Sequence, residues 1–202
     1  MRKIKQGEEP NSLTRWKRQN PQRAYGQLSE EIRREIRQYL LDNQFNLCAY
    51  CCDRIQSIND CHNEHLEAKQ SKPNRDLDFT NLVASCNTKN QCGNAHGTAP
   101  LPITPLQEAC ETELAYQLSG RVKGLTNQAT ETLAILNLNN KSLIEKRKQI
   151  THCILWGNNL NPTTIQLTAT NLLGKLANDL AMPKDGKLEA FSPVVVNVLR
   201  QL

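Results

Sequence analysis

No stretch of this chain approaches the ~20 consecutive apolar residues that a bilayer-spanning helix needs, and hydrophobic residues make up only 38% of its 202 positions. That pattern excludes a helical membrane protein. The opening MRKIKQGEEP sets no apolar stretch behind its basic residues. A secretory leader is therefore not expected, and the expected location is the cytoplasm. There is no internal repeat and no low-complexity tract. Large apolar residues are scarce between positions 45 and 104, too scarce for an ordinary core. Such a segment usually needs a metal to hold it together.

The net charge is +5, and its distribution says more than its size. Arg2, Lys3, Lys5, Arg15, Lys17, Arg18, Arg23, Arg33, Arg34 and Arg37 all fall in the first 37 residues. With Trp16 and Tyr25 among them, they form a basic arm suited to phosphate contact.

The pattern divides the chain into three regions and predicts an α+β protein, mostly α. Residues 1–44 are the basic arm and a helix. Positions 1–27 read as irregular, and 28–44 as helical, with Ser29 as N-cap and Glu30 and Glu31 in the first turn. Residues 45–105 are turn-rich and hold most of the cysteines and histidines. Residues 106–202 read as mostly helical, with helices expected over about 106–118, 125–137 and 140–156. Thr164 would cap a fourth, burying Ile165, Leu172, Leu173, Leu176 and Leu180. Ser192–Pro193 reads as an N-cap followed by a first-turn proline, although the run VVVNV behind it suits helix and strand alike.

The chemistry concentrates in residues 48–97. Cys48 and Cys51 form C-x-x-C, a spacing that lets two thiolates face one ion on a tight turn. Cys86 and Cys92 would complete a four-cysteine structural zinc site. Their C-x5-C spacing is looser, so the second turn must bulge. Cys52 should point away. Cys61, Cys110 and Cys153 have no partner pattern, and the last two read as buried small hydrophobes. A redox reading of Cys48/Cys51 would need a βαβ context, which is missing.

Between the pairs stands NEHLEAK, with Glu64 beside His65 and asparagines behind. Phosphodiester hydrolysis needs a group that takes a proton near neutral pH, and an ion that neutralises the leaving oxygen. An imidazole and a carboxylate-held divalent cation supply these. On a strand the two neighbours would point to opposite sides, yet in a twisted hairpin both can border one cleft. His62, three residues before His65, reads as a local structural or exposed histidine, with a ligand or a partner of the ligands as the alternative; His152 reads as structural.

The order C-x-x-C, acidic-His, variable loop, N-L-x-x-x-C and C-G-N-x-H-G over residues 45–97 resembles an HNH (ββα-metal) endonuclease. The resemblance implies a zinc-stapled ββα-metal nuclease core between an N-terminal helix and a C-terminal helical region. It makes His65 the general base, Glu64 a ligand of a catalytic Mg²⁺ or Mn²⁺, and Asn81 the brace of the loop. The third residue of the pattern, which the following helix returns to that ion as a ligand, is Asn94 or Asn90, with Asn94 favoured because it follows the last zinc cysteine. MRKIKQ, LCAYC, EHLEAK, DFTNLVASC and ETLAILNLNNKSLIEKRKQI extend the resemblance over about residues 1–155, to the PtuB-type HNH proteins of Septu and retron-associated antiphage defence systems.

That family implies a PtuA-like ABC-type ATPase as partner, with a retron reverse transcriptase and its RNA–DNA product as further company. Residues 106–202 would then be the docking region. Two departures stand out. Ala68 occupies the place of a family proline, and His96 that of a family lysine. His96 and Lys69 are the residues expected to meet nucleic acid. DNA is favoured as substrate, with RNA such as tRNA as the alternative. An inert zinc module that recruits nucleic acid to its partner is the reading from outside the enzymes.

Overall fold

A computed structural model describes residues 1–161, 163, 165 and 170–202. The chain is α+β and mostly helical, as the pattern predicts. Helix α1 spans Asn11–Gln19 and α2 spans Glu30–Asn43. Ser29 caps α2 by accepting from the Ile32 N–H, and Ile36, Leu40 and Leu41 form its buried face. The helix at α1 corrects the expectation of an irregular arm. Its apolar residues are Leu13, buried, and Trp16, packed partly against the core, too few for periodicity to reveal it.

Strand β1 (Cys61–His65) pairs antiparallel with β2 (Leu82–Cys86) in the register His62↔Ser85, Glu64↔Val83, His65↔Leu82. A one-turn helix, α3 (Gly93–His96), follows. Helix α2 packs on the hairpin, and Gln44 joins them: its amide donates to the carbonyls of Leu47 and Ala84, and its oxygen accepts from the Ala84 N–H.

The expected helix over 106–118 is corrected to a single turn, α4 (Ala109–Thr112), and a second hairpin. Its strands are β3 (Leu114–Tyr116) and β4 (Val122–Gly124). Leu114 and Tyr116 alternate inward across the exposed Gln117–Arg121 region, a strand period within a segment of mixed signal. Gly120 makes the turn. Its φ of +83° and the Ile144 carbonyl, 2.1 Å from where a Cβ would sit, leave no room for another residue.

Helices α5 (Asn127–Ile135) and α6 (Lys141–Gly157) fall where expected, capped by Thr126 and Asn140. Helix α7 covers Thr170–Ala181, with Leu173 and Leu176 buried but Leu172 exposed; the proposed Thr164 cap lies outside the described residues. Helix α8 (Ser192–Leu199) settles the VVVNV run as helix. Phe191, in a left-handed conformation, precedes it, so Ser192 is its first residue rather than its cap. Cys110 is buried as expected, whereas Cys153 is exposed on α6.

The main core is continuous through the three regions, from Met1, Leu13 and Ile36 through Tyr50, Leu82 and Val83 to Leu136, Phe191 and Val198. A smaller cluster gathers Leu155, Leu173, Leu176 and Val195. Among the described residues, no helix is long and apolar enough to cross a membrane.

Candidate active site

Cys48, Cys51, Cys86 and Cys92 come together as a buried group whose sulfur atoms all lie within 4.8 Å of one another. A tetrahedral zinc with Zn–S near 2.3 Å needs sulfurs about 3.8 Å apart, so a small contraction would seat the ion. The Cys86 N–H points at the Cys48 sulfur (3.4 Å), and the Gln91 amide faces the sulfurs of Cys86 and Cys92. The four thiols share hydrogen bonds that push Cys86 strongly toward its ionised form and push the Cys51 and Cys92 thiols up. The looser C-x5-C spacing closes through positive φ at Asn90 (58°) and Cys92 (55°). Asparagine tolerates that region, and the cysteine is held there by its neighbours. Cys52 lies outside the group.

His65 ends strand β1, nearly buried, with its Nε2 2.9 Å from the Asp76 carbonyl. A carbonyl only accepts, so Nε2 carries the proton and Nδ1 keeps the lone pair. Burial lowers the His65 pKa below the usual imidazole value; the Asp76 hydrogen bond opposes this, and the Lys69 charge adds to it. The imidazole is therefore neutral at pH 7.

The loop that presents Asp76 is braced at its base by Asn81, which is wholly buried. Its Oδ1 accepts from the Glu67 N–H (2.9 Å), and its Nδ2 donates to the carbonyls of Glu67 (3.0 Å) and Arg75 (3.1 Å). Arg75 ties the loop to itself through Glu67 and Asp78. One asparagine side chain thus fixes both ends of the turn that holds His65.

Glu64 faces the other way, between two histidines. His62 sits two residues earlier on the same face of β1, with Nε2 3.1 Å from Glu64 Oε2. His96, on α3, brings Nδ1 to 2.6 Å from Oε1, while its Nε2 donates to the Ala99 carbonyl at 2.6 Å. Helix α3 can approach this closely because residue 93 is glycine. A Cβ there would lie 2.8 Å from the Glu64 carboxyl and from His62 Nε2. Burial works against the Glu64 charge, but the hydrogen bonds from His62 and His96 outweigh it and hold its pKa below the usual carboxylate value. The same contact with Glu64 raises the His62 pKa.

The predicted residues are thus brought together in part. Glu64, His65 and Asn81 surround one end of the hairpin. Asn94 does not reach Glu64: it is exposed, and its Oδ1 accepts from the Asn90 N–H at 3.0 Å. The turn of α3 that carries Asn94 faces outward, and the residue two positions on faces inward. Asn90 gives its N–H to Asn94 and its carbonyl to the Asn137 amide. His96 has no exposed side-chain surface, so it meets Glu64 and not solvent. Lys69 is exposed, 5.5 Å from the centre of the Tyr25 ring.

Sequence reasoning set His62 down as structural rather than as a ligand, and passed over Gly93 and Asp76. For His62 a signal existed, since positions 62 and 64 share a face of any strand. For Asp76 there was none, because it contributes a backbone carbonyl. A scan against protein-family models gives no match for the chain, and no curated protein matches it.

Proposed function

We propose that the chain is a metal-dependent HNH (ββα-metal) endonuclease, with His65 as the general base. The observation that carries the reading is the state of that imidazole. It is neutral and nearly buried, its Nε2 is committed to the Asp76 carbonyl, and its Nδ1 is left to take a proton. A histidine packed only for stability does not need a loop whose two ends are locked by a buried asparagine.

In the proposed reaction, His65 Nδ1 accepts a proton from a water molecule that attacks phosphorus in line with the leaving oxygen. The Asp76 carbonyl stabilises the imidazolium that forms. Glu64 and His96 would hold a divalent cation, with His62 beside them. The donor types fit: with His96 Nε2 donating to the Ala99 carbonyl, Nδ1 would turn its lone pair to the ion beside the Glu64 carboxylate, in place of the 2.6 Å hydrogen bond the two now share. When bound, Mg²⁺ or Mn²⁺ would neutralise charge on the leaving oxygen. Two imidazoles near the carboxylate suit a later transition-metal ion better than Mg²⁺. The zinc group staples the hairpin to the preceding turn and takes no part in the chemistry.

The resemblance to the PtuB-type proteins supports a role as the nuclease subunit of an antiphage complex with an ABC-type ATPase. Cleavage of supercoiled plasmid, single-stranded DNA and tRNA, each with Mg²⁺ or Mn²⁺, tests the activity and identifies the substrate. His65→Ala should lower the rate roughly 10²–10⁴-fold and leave zinc content and circular dichroism unchanged. Wild-type protein inert on all three substrates, alone and with its ATPase, would leave a recruiting zinc module. Full activity of the His65 variant would remove the mechanism.

A further inference from the structure

Tyr25 belongs to the N-terminal segment, far in sequence from the hairpin, yet it packs against His65. The two rings meet edge to face, with centroids 4.8 Å apart at 85°. Two further contacts tie Tyr25 to the surroundings of that imidazole. Its backbone N–H donates to Asp76 Oδ2 at 2.9 Å, and the carbonyl of the same aspartate receives His65 Nε2 at 2.9 Å. Its hydroxyl accepts from Asn63 Nδ2 at 2.7 Å. Asn63 lies two residues before His65 on the same face of β1, and its Nδ2 also donates to the Arg33 carbonyl on α2. Tyr25 therefore touches the ring of His65, the residue that orients that ring, and the strand that carries it. It is buried, and the charged heads of Arg33 and Lys69 stand 5.6 and 5.5 Å from its ring centre.

We infer that Tyr25 is a positioning residue for the His65 imidazole, supplied by a segment outside the hairpin. The inference rests on His65 being the base. The hairpin alone gives the imidazole one anchor, the hydrogen bond at Nε2, about which the ring can still swing. An aromatic edge against its face removes that freedom, and the Tyr25–Asp76 bond prevents the loop from carrying the carbonyl away. An imidazole rotated by a few tens of degrees no longer aims Nδ1 at the attacking water, and misplacement of this order costs about 10²-fold in rate. The cost falls on kcat, because the substrate need not touch Tyr25.

Three variants of the full chain test this: Tyr25→Leu, Tyr25→Phe and Asp76→Ala. Each is assayed for kcat and KM, and for solvent exchange of the His65 Nε2–H in protein carrying ¹⁵N-labelled histidine. Tyr25→Leu should lower kcat about 10- to 100-fold with KM little changed, and should speed the exchange. Tyr25→Phe keeps the ring and should retain most of the rate. Asp76→Ala keeps the backbone carbonyl but frees the segment, and should fall between them. It lies on a partly exposed loop, so it decides the question if Tyr25→Leu does not fold. Unchanged kcat and exchange in a folded Tyr25→Leu or in Asp76→Ala overturns the inference, as does a loss in Tyr25→Phe equal to that in Tyr25→Leu. His65→Ala measured alongside keeps the two ideas separate. If that variant still cleaves, the base assignment falls, and the exchange rates alone show whether Tyr25 holds the ring.

Discussion

Gly93 shows how a single missing side chain shapes the candidate site. Its backbone does not need a positive φ, so alanine fits the conformation, and in a helix alanine gains roughly 0.5–1 kcal/mol over glycine. The obstacle is contact: a Cβ would stand 2.8 Å from Glu64 Cδ, Glu64 Oε2 and His62 Nε2. Those are the ends of side chains that can swing away. Gly93→Ala should therefore keep its melting temperature and zinc while losing about 10²-fold in cleavage, because Glu64 is displaced. A variant that melts early with full activity per folded molecule would contradict this. His65 supports a second expectation at this scale. Burial lowers its pKa, so the proton leaves below the ordinary imidazole value of about 6.5. Single-turnover cleavage at fixed divalent-ion concentration should rise through an inflection below that value and stay flat above it. An inflection above about pH 7 would mean that a different group is the base.

Among the elements, the loop between β1 and β2 is held by side chains as well as by its own backbone turns. Asn81, itself fully buried, makes three hydrogen bonds to partly buried backbone groups. Asn81→Ala leaves the Glu67 N–H and the Glu67 and Arg75 carbonyls short of a partner. Water reaches these groups in part, so each costs less than the ~1–3 kcal/mol of a fully buried unpaired group; the melting temperature should drop and activity should fall with it as Asp76 drifts from His65. Thermal melts and cleavage assays at a temperature where the variant is folded separate the two effects; full activity there would show that the brace serves stability alone. Elements of this kind are partly legible in the sequence. Ser29 and the apolar spacing of α2 and α6 announced those helices, because capping and period are local signals. The four-cysteine group was legible from spacing. Asn94 against His96 was not, since both follow Cys92 and only the start of a one-turn helix decides which faces Glu64. Helix α1 and the β3–β4 hairpin were hidden for a related reason. Their few inward residues are selected by distant partners, as when the Tyr116 N–H is taken by Asn197 of α8.

At the scale of the whole molecule, the C-terminal helices are bound into the hairpin and the cysteine group. The Cys92 N–H donates to the Leu136 carbonyl and the Phe191 N–H to the Cys52 carbonyl, both beside the candidate zinc ligands. The Asn137 amide holds the Asn90 carbonyl, and Arg54 reaches the Leu188 carbonyl. Leu133, Leu136, Leu138, Phe191 and Val194 fill the same core as Tyr50 and Leu82. Each fully buried side chain of this size contributes about 1.5–3 kcal/mol. Losing all five removes about 7–15 kcal/mol, comparable to the whole stability of a typical domain, about 5–15 kcal/mol. A chain cut after residue 105 should therefore fail to fold even with zinc supplied, giving a collapsed amide spectrum and substoichiometric metal. A dispersed spectrum with one zinc per truncated chain would show that the hairpin stands alone. Deletion is then the wrong probe for partner docking, since it would destroy the site along with the surface. Substitution of exposed apolar residues on the outer helices, Trp156 on α6 and Leu172 on α7, leaves the shared core intact. If the ATPase docks there, Trp156→Glu or Leu172→Glu should abolish co-elution while isolated cleavage continues. If both variants still co-elute, the docking surface lies elsewhere on the molecule.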